Sequence, residues 1–210
     1  MPKWTLETVA EPAYEPVSRA EAKRWFRIDD TNSDAVVDML VKAMREDAEN
    51  MTGRAFISRQ LRLTLDDWPL DAQYGHKIVL PNPPLISVDS FQYVDTDGAT
   101  QTLATTQYVA HDAYEPAYII PAWDVTWPTI RLVPNAIRVT YTAGYAPGSP
   151  SDEAAAQEVM PAKLRLWMAA KAQTLNEFRE QLIAGTIVTP LPRSYVDGLL
   201  DSLVVGARLF

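Results

Sequence analysis

The chain has 210 residues, 47% of them apolar and 22% charged, with a formal net charge of −8 and no cysteine. That is enough sequence for one substantial core, or for a domain carrying a subdomain. The missing thiols exclude disulfides, thiolate zinc sites and cysteine nucleophiles, and the acidic balance argues against tight nucleic-acid binding, which draws its affinity from phosphate neutralisation.

The opening residues lack an apolar signal-peptide core, and no stretch approaches membrane-spanning length, so a soluble intracellular protein is expected. Residues 1–17 carry Pro2, Pro12 and Pro16 with little periodicity and read as an irregular arm. Ser18-Arg-Ala-Glu21 is a capping-box pattern that opens a helix to about Ile28, with Ala22, Trp25 and Phe26 on one side. A second helix from Ser33 carries Val36, Val37, Leu40, Val41, Met44, Ala48 and Met51 at three- and four-residue steps, with an Asp38–Lys42 pair and Gly53 as its stop.

After Gly53 the period changes to two. Leu61, Leu63 and Leu65 alternate with Arg62, Thr64 and Asp66; Ile86–Val94 is a second strand; Asp95–Gly98 turns into a third; and Ile137–Thr142 alternates again. The prolines at 81, 83, 84, 116, 121, 128 and 134 are expected in loops and at edges, and 104–134 reads as partly irregular. The stretch 144–153 is a linker by composition. Helix returns at Pro161, with Leu164, Trp167, Met168, Leu175, Phe178 and Leu182 as its stripe and Gly185 as its end. A last short helix from Ser194 places Val196, Leu199, Leu200, Leu203 and Val204 inward.

The expected class is α+β: a small antiparallel helical bundle interrupted by an inserted antiparallel β-rich subdomain. The expected boundaries are an arm over 1–17, a helical frame over 18–53 and 151–185, a β-rich insertion over 54–150, and a C-terminal helix and tail over 186–210.

Few residues suggest chemistry, and no enzyme is expected. The two histidines, His76 and His111, have no helical i+4 partner for a metal, and His111-Asp112 lacks the surroundings of a triad. Asp95-x-Asp97-Gly98 resembles the start of a calcium loop, but the twelfth position is Thr106 where a bidentate Glu belongs, so a hairpin turn is the better reading. Asp66-Asp67 and the Glu46, Asp47, Glu49 cluster could pair carboxylates, though acidic clusters on solvated surfaces are commoner. No phosphate-cradling glycine loop occurs, and no cofactor or metal is expected. Arg19, Lys23 and Arg27 form a basic stripe expected to meet acidic groups of this or a neighbouring subunit, with Glu46 and Glu49 as further candidates for a subunit interface.

Several strings taken together point further. Pro16-Val-Ser-x-Ala-Glu-Ala-Lys23 continuing to Arg27-Ile-Asp29, and Ala48-Glu-x-x-Thr-Gly-Arg-Ala55, resemble the opening of the head–tail connector (adaptor) proteins of long-tailed phages. Leu65-Asp-Asp-Trp-Pro69, Leu80-Pro-x-Pro-Pro-Leu85, Tyr93-x-Asp-x-Asp-Gly98 and Val139-x-Tyr-x-Ala-Gly-Tyr145 are similar to the variant with a β insertion. The end, Val204–Phe210, is more apolar than that family's pattern. The resemblance implies a structural virion protein: a ring of about twelve subunits under the portal of a phage or phage-like particle, made in the bacterial cytoplasm, bridging the portal to the next tail-side connector or terminator and lining the DNA channel without specific binding. Leu199, Leu200, Leu203, Leu209 and Phe210 are the candidates for docking on the portal. The rival expectation is a module that binds carbohydrate or peptide through Tyr114, Tyr118, Trp123 and Trp127 of the β insertion.

Overall fold

The computed structural model describes residues 4–69, 77–145, 153–184 and 196–206. Its elements run β1 (Trp4–Ala10), α1 (Arg19–Phe26), α2 (Asp34–Thr52), β2 (Arg59–Leu65), β3 (Ile78–Val79), β4 (Leu85–Val94), β5 (Thr100–Thr102), β6 (Tyr108–His111), β7 (Tyr118–Pro121), β8 (Ile137–Ala143), α3 (Glu153–Glu158) and α4 (Ala162–Ala184). The α+β class with antiparallel sheets is the one the sequence predicts. The chain divides into two compact units, 13–57 with 145–204 and 1–12 with 58–144 and 205–210.

In the helical unit, Ser18 caps α1 by accepting the Glu21 N–H on its hydroxyl at 3.2 Å, as its place before the apolar residues requires. The helix stops at Phe26 because Arg27 turns left-handed (φ 54°), and the amides of Arg27 and Ile28 return to Arg24 and Lys23. Gly53 ends α2 in the same conformation (φ 68°), its amide bonded to Glu49 O at 2.8 Å. A glycine tolerates that geometry without a Cβ clash. The core joins Ala22 and Phe26 of α1, Val37, Val41, Met44 and Ala48 of α2, and Leu164, Trp167, Met168 and Ala172 of α4. The predicted stripe of α2 is turned at its ends, for Val36 and Met51 are exposed while Arg45, Glu49 and Thr52 are buried. Leu175 is also exposed, and the side chains of Phe178 and Leu182, like Gly185, lie outside the described residues.

The β unit holds a five-stranded antiparallel sheet in the order β1-β2-β8-β4-β5. Leu61, Leu63 and Leu65 of β2 stand opposite Tyr141, Val139 and Ile137 of β8, and all six are buried on one face. The residues read as an irregular arm are split: 4–10 form edge strand β1 against β2, and Val17 joins the helical core. The edge strand has no buried residue, so it leaves no alternation in the sequence; backbone pairing holds it. The stretch read as irregular holds most of a second sheet, β3-β7-β6. Its strands are two to four residues long, too short for a period to register. Pro121 ends β7 opposite Tyr108, so it lies within a strand, where the missing N–H is tolerated only because the strand stops there.

Candidate functional site

The basic stripe of α1 is answered within its own unit. Arg19 makes a two-pronged pair with Asp38, with Nε to Oδ1 at 2.7 Å, and Lys23 reaches Asp34 Oδ1 at 2.7 Å and the Asp30 carbonyl at 2.6 Å. Asp38 therefore binds Arg19, not the predicted Lys42, whose ammonium lies 3.9 Å from Glu46. Two helices packed at this distance bring a planar guanidinium onto a carboxylate more favourably than a flexible lysine reaches one turn along. Arg27 is exposed at the helix stop.

Glu49 corrects the reading of a solvated acidic face. It is buried, and its two oxygens are divided between the Arg45 guanidinium (2.8 Å) and the Phe56 amide (3.0 Å). Arg45, 1% exposed, also donates through Nε to Glu15 Oε2 at 2.8 Å. Periodicity on α2 treats every charge as outward; a carboxylate one turn from an arginine enters the interior because each satisfies the other. Burial pushes the Glu15 carboxyl above its ordinary value, outweighing the lowering influence of Arg45. Glu46 is exposed, and Asp47 beside it is exposed as well.

The C-terminal turn packs on its own helices. Leu200 is buried in the helical core, and Val196, Leu199 and Leu203 are partly buried against it, whereas Val204 is exposed. Polar ties fix the turn: Trp167 Nε1 donates to Asp197 Oδ1 at 3.2 Å, Lys163 Nζ to Ser202 Oγ at 2.6 Å, and Arg54 Nε to the Leu203 carbonyl. Leu200 thus has no surface to offer a partner in this arrangement. Leu209 and Phe210 lie outside the described residues.

In the β unit, Trp68 stacks on Trp127 with centroids 4.8 Å apart and planes within 4°, and Phe91 tilts against both and against Tyr108. The indole of Trp68 is satisfied by the Pro128 carbonyl at 3.0 Å. Beside this cluster lies a cavity of about 610 Å³, lined by Trp68, His111, Ile120, Trp123 and Trp127 among others. Trp123 is 97% exposed. His111 stacks on Tyr118 at 4.9 Å, and Tyr114 leans on the same ring at 5.2 Å. His76 lies outside the described residues.

The carboxylates considered for metal or acid–base work hold turns. Asp95 accepts the amides of Asp97 (3.1 Å) and Ala99 (2.8 Å) and the Gln101 side chain (2.8 Å). The Gln101 bond and then the Ala99 amide keep its carboxyl below the usual range. Asp66 accepts the Asn135 amide and Asp67 the Trp68 amide, each at 2.8 Å. Among the described residues no group of three or more His, Cys, Asp or Glu is placed to hold a metal, and no helix is long and apolar enough to cross a membrane.

The chain is thus an α+β protein in which a helical unit and an antiparallel β unit alternate along the sequence. Its fold is that of chains in gene transfer agent particles. A chain from the neck of an empty particle computed with C6 symmetry superposes with a TM-score of 0.69 at 22% identity, over 97% of both chains. Chains from the virion of the native particle (0.66, 21%) and from its neck computed with C12 symmetry (0.62, 20%) match over 97% of both as well. No protein-family model matches the chain, and no curated protein resembles it in sequence.

Proposed function

We propose that the chain is a structural head–tail connector (adaptor) subunit of a phage or phage-like particle. It forms a ring under the portal, bridges the portal to the next tail-side protein and surrounds the DNA path. The observation that carries this reading is the fold shared along 97% of the chain with chains from the neck and virion of gene transfer agent particles. A twelve-membered ring is the stoichiometry that the C12 neck suggests. The net charge of −8 suits a conduit, since a wall poor in cations lets phosphate slide past. Arg19, Asp38, Arg45, Glu15 and Glu49 of the helical unit are held in structural pairs, as befits a building block.

Docking on the portal falls to the C-terminal segment, with Leu209 and Phe210 as its apolar end and Leu199 and Leu203 as partly covered neighbours. Electron microscopy of the concentrated chain, alone and with portal, tests the reading: rings coaxial with the portal are expected. Particles without rings in either preparation would overturn it. Leu209→Asp with Phe210→Asp is expected to abolish portal binding while leaving the fold intact.

One observation favours a second reading, a carbohydrate- or peptide-binding role for the β unit. Trp123 stands almost wholly in solvent at the mouth of an aromatic cavity, a placement suited to stacking on a sugar face. A glycan and peptide array discriminates: saturable binding lost in Trp123→Ala supports this role.

A further inference from the structure

The helical unit shows two apolar strips that its own core does not use. On α2, Val36 (49% exposed) and Met39 (63%) line up with exposed Ala43 on the side opposite the buried Val37, Val41, Met44 and Ala48. On α4, Leu166 (57%) stands with exposed Ala162 opposite the buried Leu164, Trp167 and Met168. Both buried stripes belong to one core, so the two outer strips point away from it in different directions. Each spans about 10 Å or less along its helix.

Their charges are opposite. Helix α2 carries five carboxylates against two cations; Asp34, Asp38 and Glu49 are answered within the unit, which leaves Asp47 and Glu46, the latter 3.9 Å from Lys42. The stretch 162–175 of α4 carries Lys163, Arg165 and Lys171 and no carboxylate. Arg165 is compensated by Glu21 at 2.7 Å, but Lys163 meets the neutral Ser202 and Lys171 lies over the Trp167 ring. On the α2 side, Asp47 and Glu46 stand exposed beside the apolar strip. A basic apolar patch on an otherwise acidic chain is matched by an acidic apolar patch on the same chain.

We propose that the occupant of each strip is a second copy of this chain. The outer face of α2 on one copy meets the outer face of α4 on the next, with Met39 against Leu166 and the Glu46/Asp47 carboxylates near Lys163. Two different faces in contact make a heterologous interface, which repeats from copy to copy and closes into a ring when the rotation permits. Opposed charge sets the pairing, and the apolar strips supply the contact energy. This interface deepens the ring reading and rests on it.

Charge exchange tests it. Met39→Lys places a cation opposite Lys163, and Leu166→Glu an anion opposite Glu46 and Asp47; each variant alone is expected to weaken self-association by about tenfold or more. Mixed one to one, the variants regain wild-type assembly, because the ammonium introduced at position 39 of one chain then meets the carboxylate introduced at position 166 of the other, while the remaining faces keep the native pairing. Light scattering and microscopy report assembly, and circular dichroism confirms the fold, which substitution at such exposed positions leaves in place. Rings formed equally well by both single variants, or a mixture no better than its components, overturn the interface and leave the ring reading standing. A wild-type chain that stays a single copy at about 1 mM, with or without portal, overturns both.

Discussion

The two units solve the problem of a polar backbone and a mixed sequence in different ways. The helical unit admits charge to its interior: Arg45, 1% exposed, is held by Glu15 and Glu49, and Glu49 in turn fixes the Phe56 amide. The β unit fills its interior chiefly with apolar and aromatic side chains, and the hydroxyl of the fully buried Tyr141 donates to the Pro81 carbonyl at 2.7 Å. A buried ion network contributes little net stability but is severe about partners, since one missing member strands a charge. A sheet core of Leu, Ile, Val and aromatic rings derives its stability from area removed from water and forgives small changes. The helical unit is thus the part whose geometry is tightly specified.

Variants can break that comparison. Arg45→Met is expected to cost about 3–5 kcal/mol by leaving the Glu49 charge buried without its partner; thermal denaturation measures it, and a loss below about 1 kcal/mol would show the network to be decorative. Tyr141→Phe is expected to cost about 1–2 kcal/mol, the usual consequence of orphaning one buried carbonyl, read by urea denaturation. Trp123→Ala is expected to stay within about 0.5 kcal/mol of the parent, because a side chain in solvent contributes no packing.

The smallest effect is in pH. Burial raises the Glu15 carboxyl above 4.5 in the folded chain, so between that value and the raised one the folded state binds more proton than the unfolded. Stability from this group is therefore fully present below 4.5 and is lost as pH rises through the raised value. Glu15→Gln should flatten that part of the stability profile, measured by denaturation at stepped pH; an unchanged slope would mean that Glu15 ionises as freely folded as unfolded.

Much of this was legible in the residues. Ser18 and Gly53 mark helix ends by chemistry that leaves little choice, and the alternating Leu61, Leu63 and Leu65 can only be a half-buried strand. What escaped has a common physical cause: it leaves no periodic trace. Strand β1 is exposed on both faces, β3, β6 and β7 are a few residues long, and Glu49 is an acid whose burial depends on Arg45, Glu15 and Phe56 being brought together by the fold. Val36 and Met39 illustrate the same limit from the other side. Hydrophobicity shows that a residue prefers to be covered, and not which of several surfaces covers it.

The chain leaves the helical unit after Ile57 and returns at Tyr145. At those points Tyr145 donates its amide to the Phe56 carbonyl at 3.2 Å, and within the sheet Arg59 of β2 pairs with Ala143 of β8. The first and last strands of the long excursion are therefore hydrogen-bonded neighbours, and the gap they span is the same however much sequence lies between them. A lineage can lengthen, shorten or exchange everything from 66 to 136 without asking the frame to move, because closing a longer loop across a fixed gap adds only a slowly growing entropy cost. That leaves the excursion as the part of the molecule with latitude to change while the helices stay as they are.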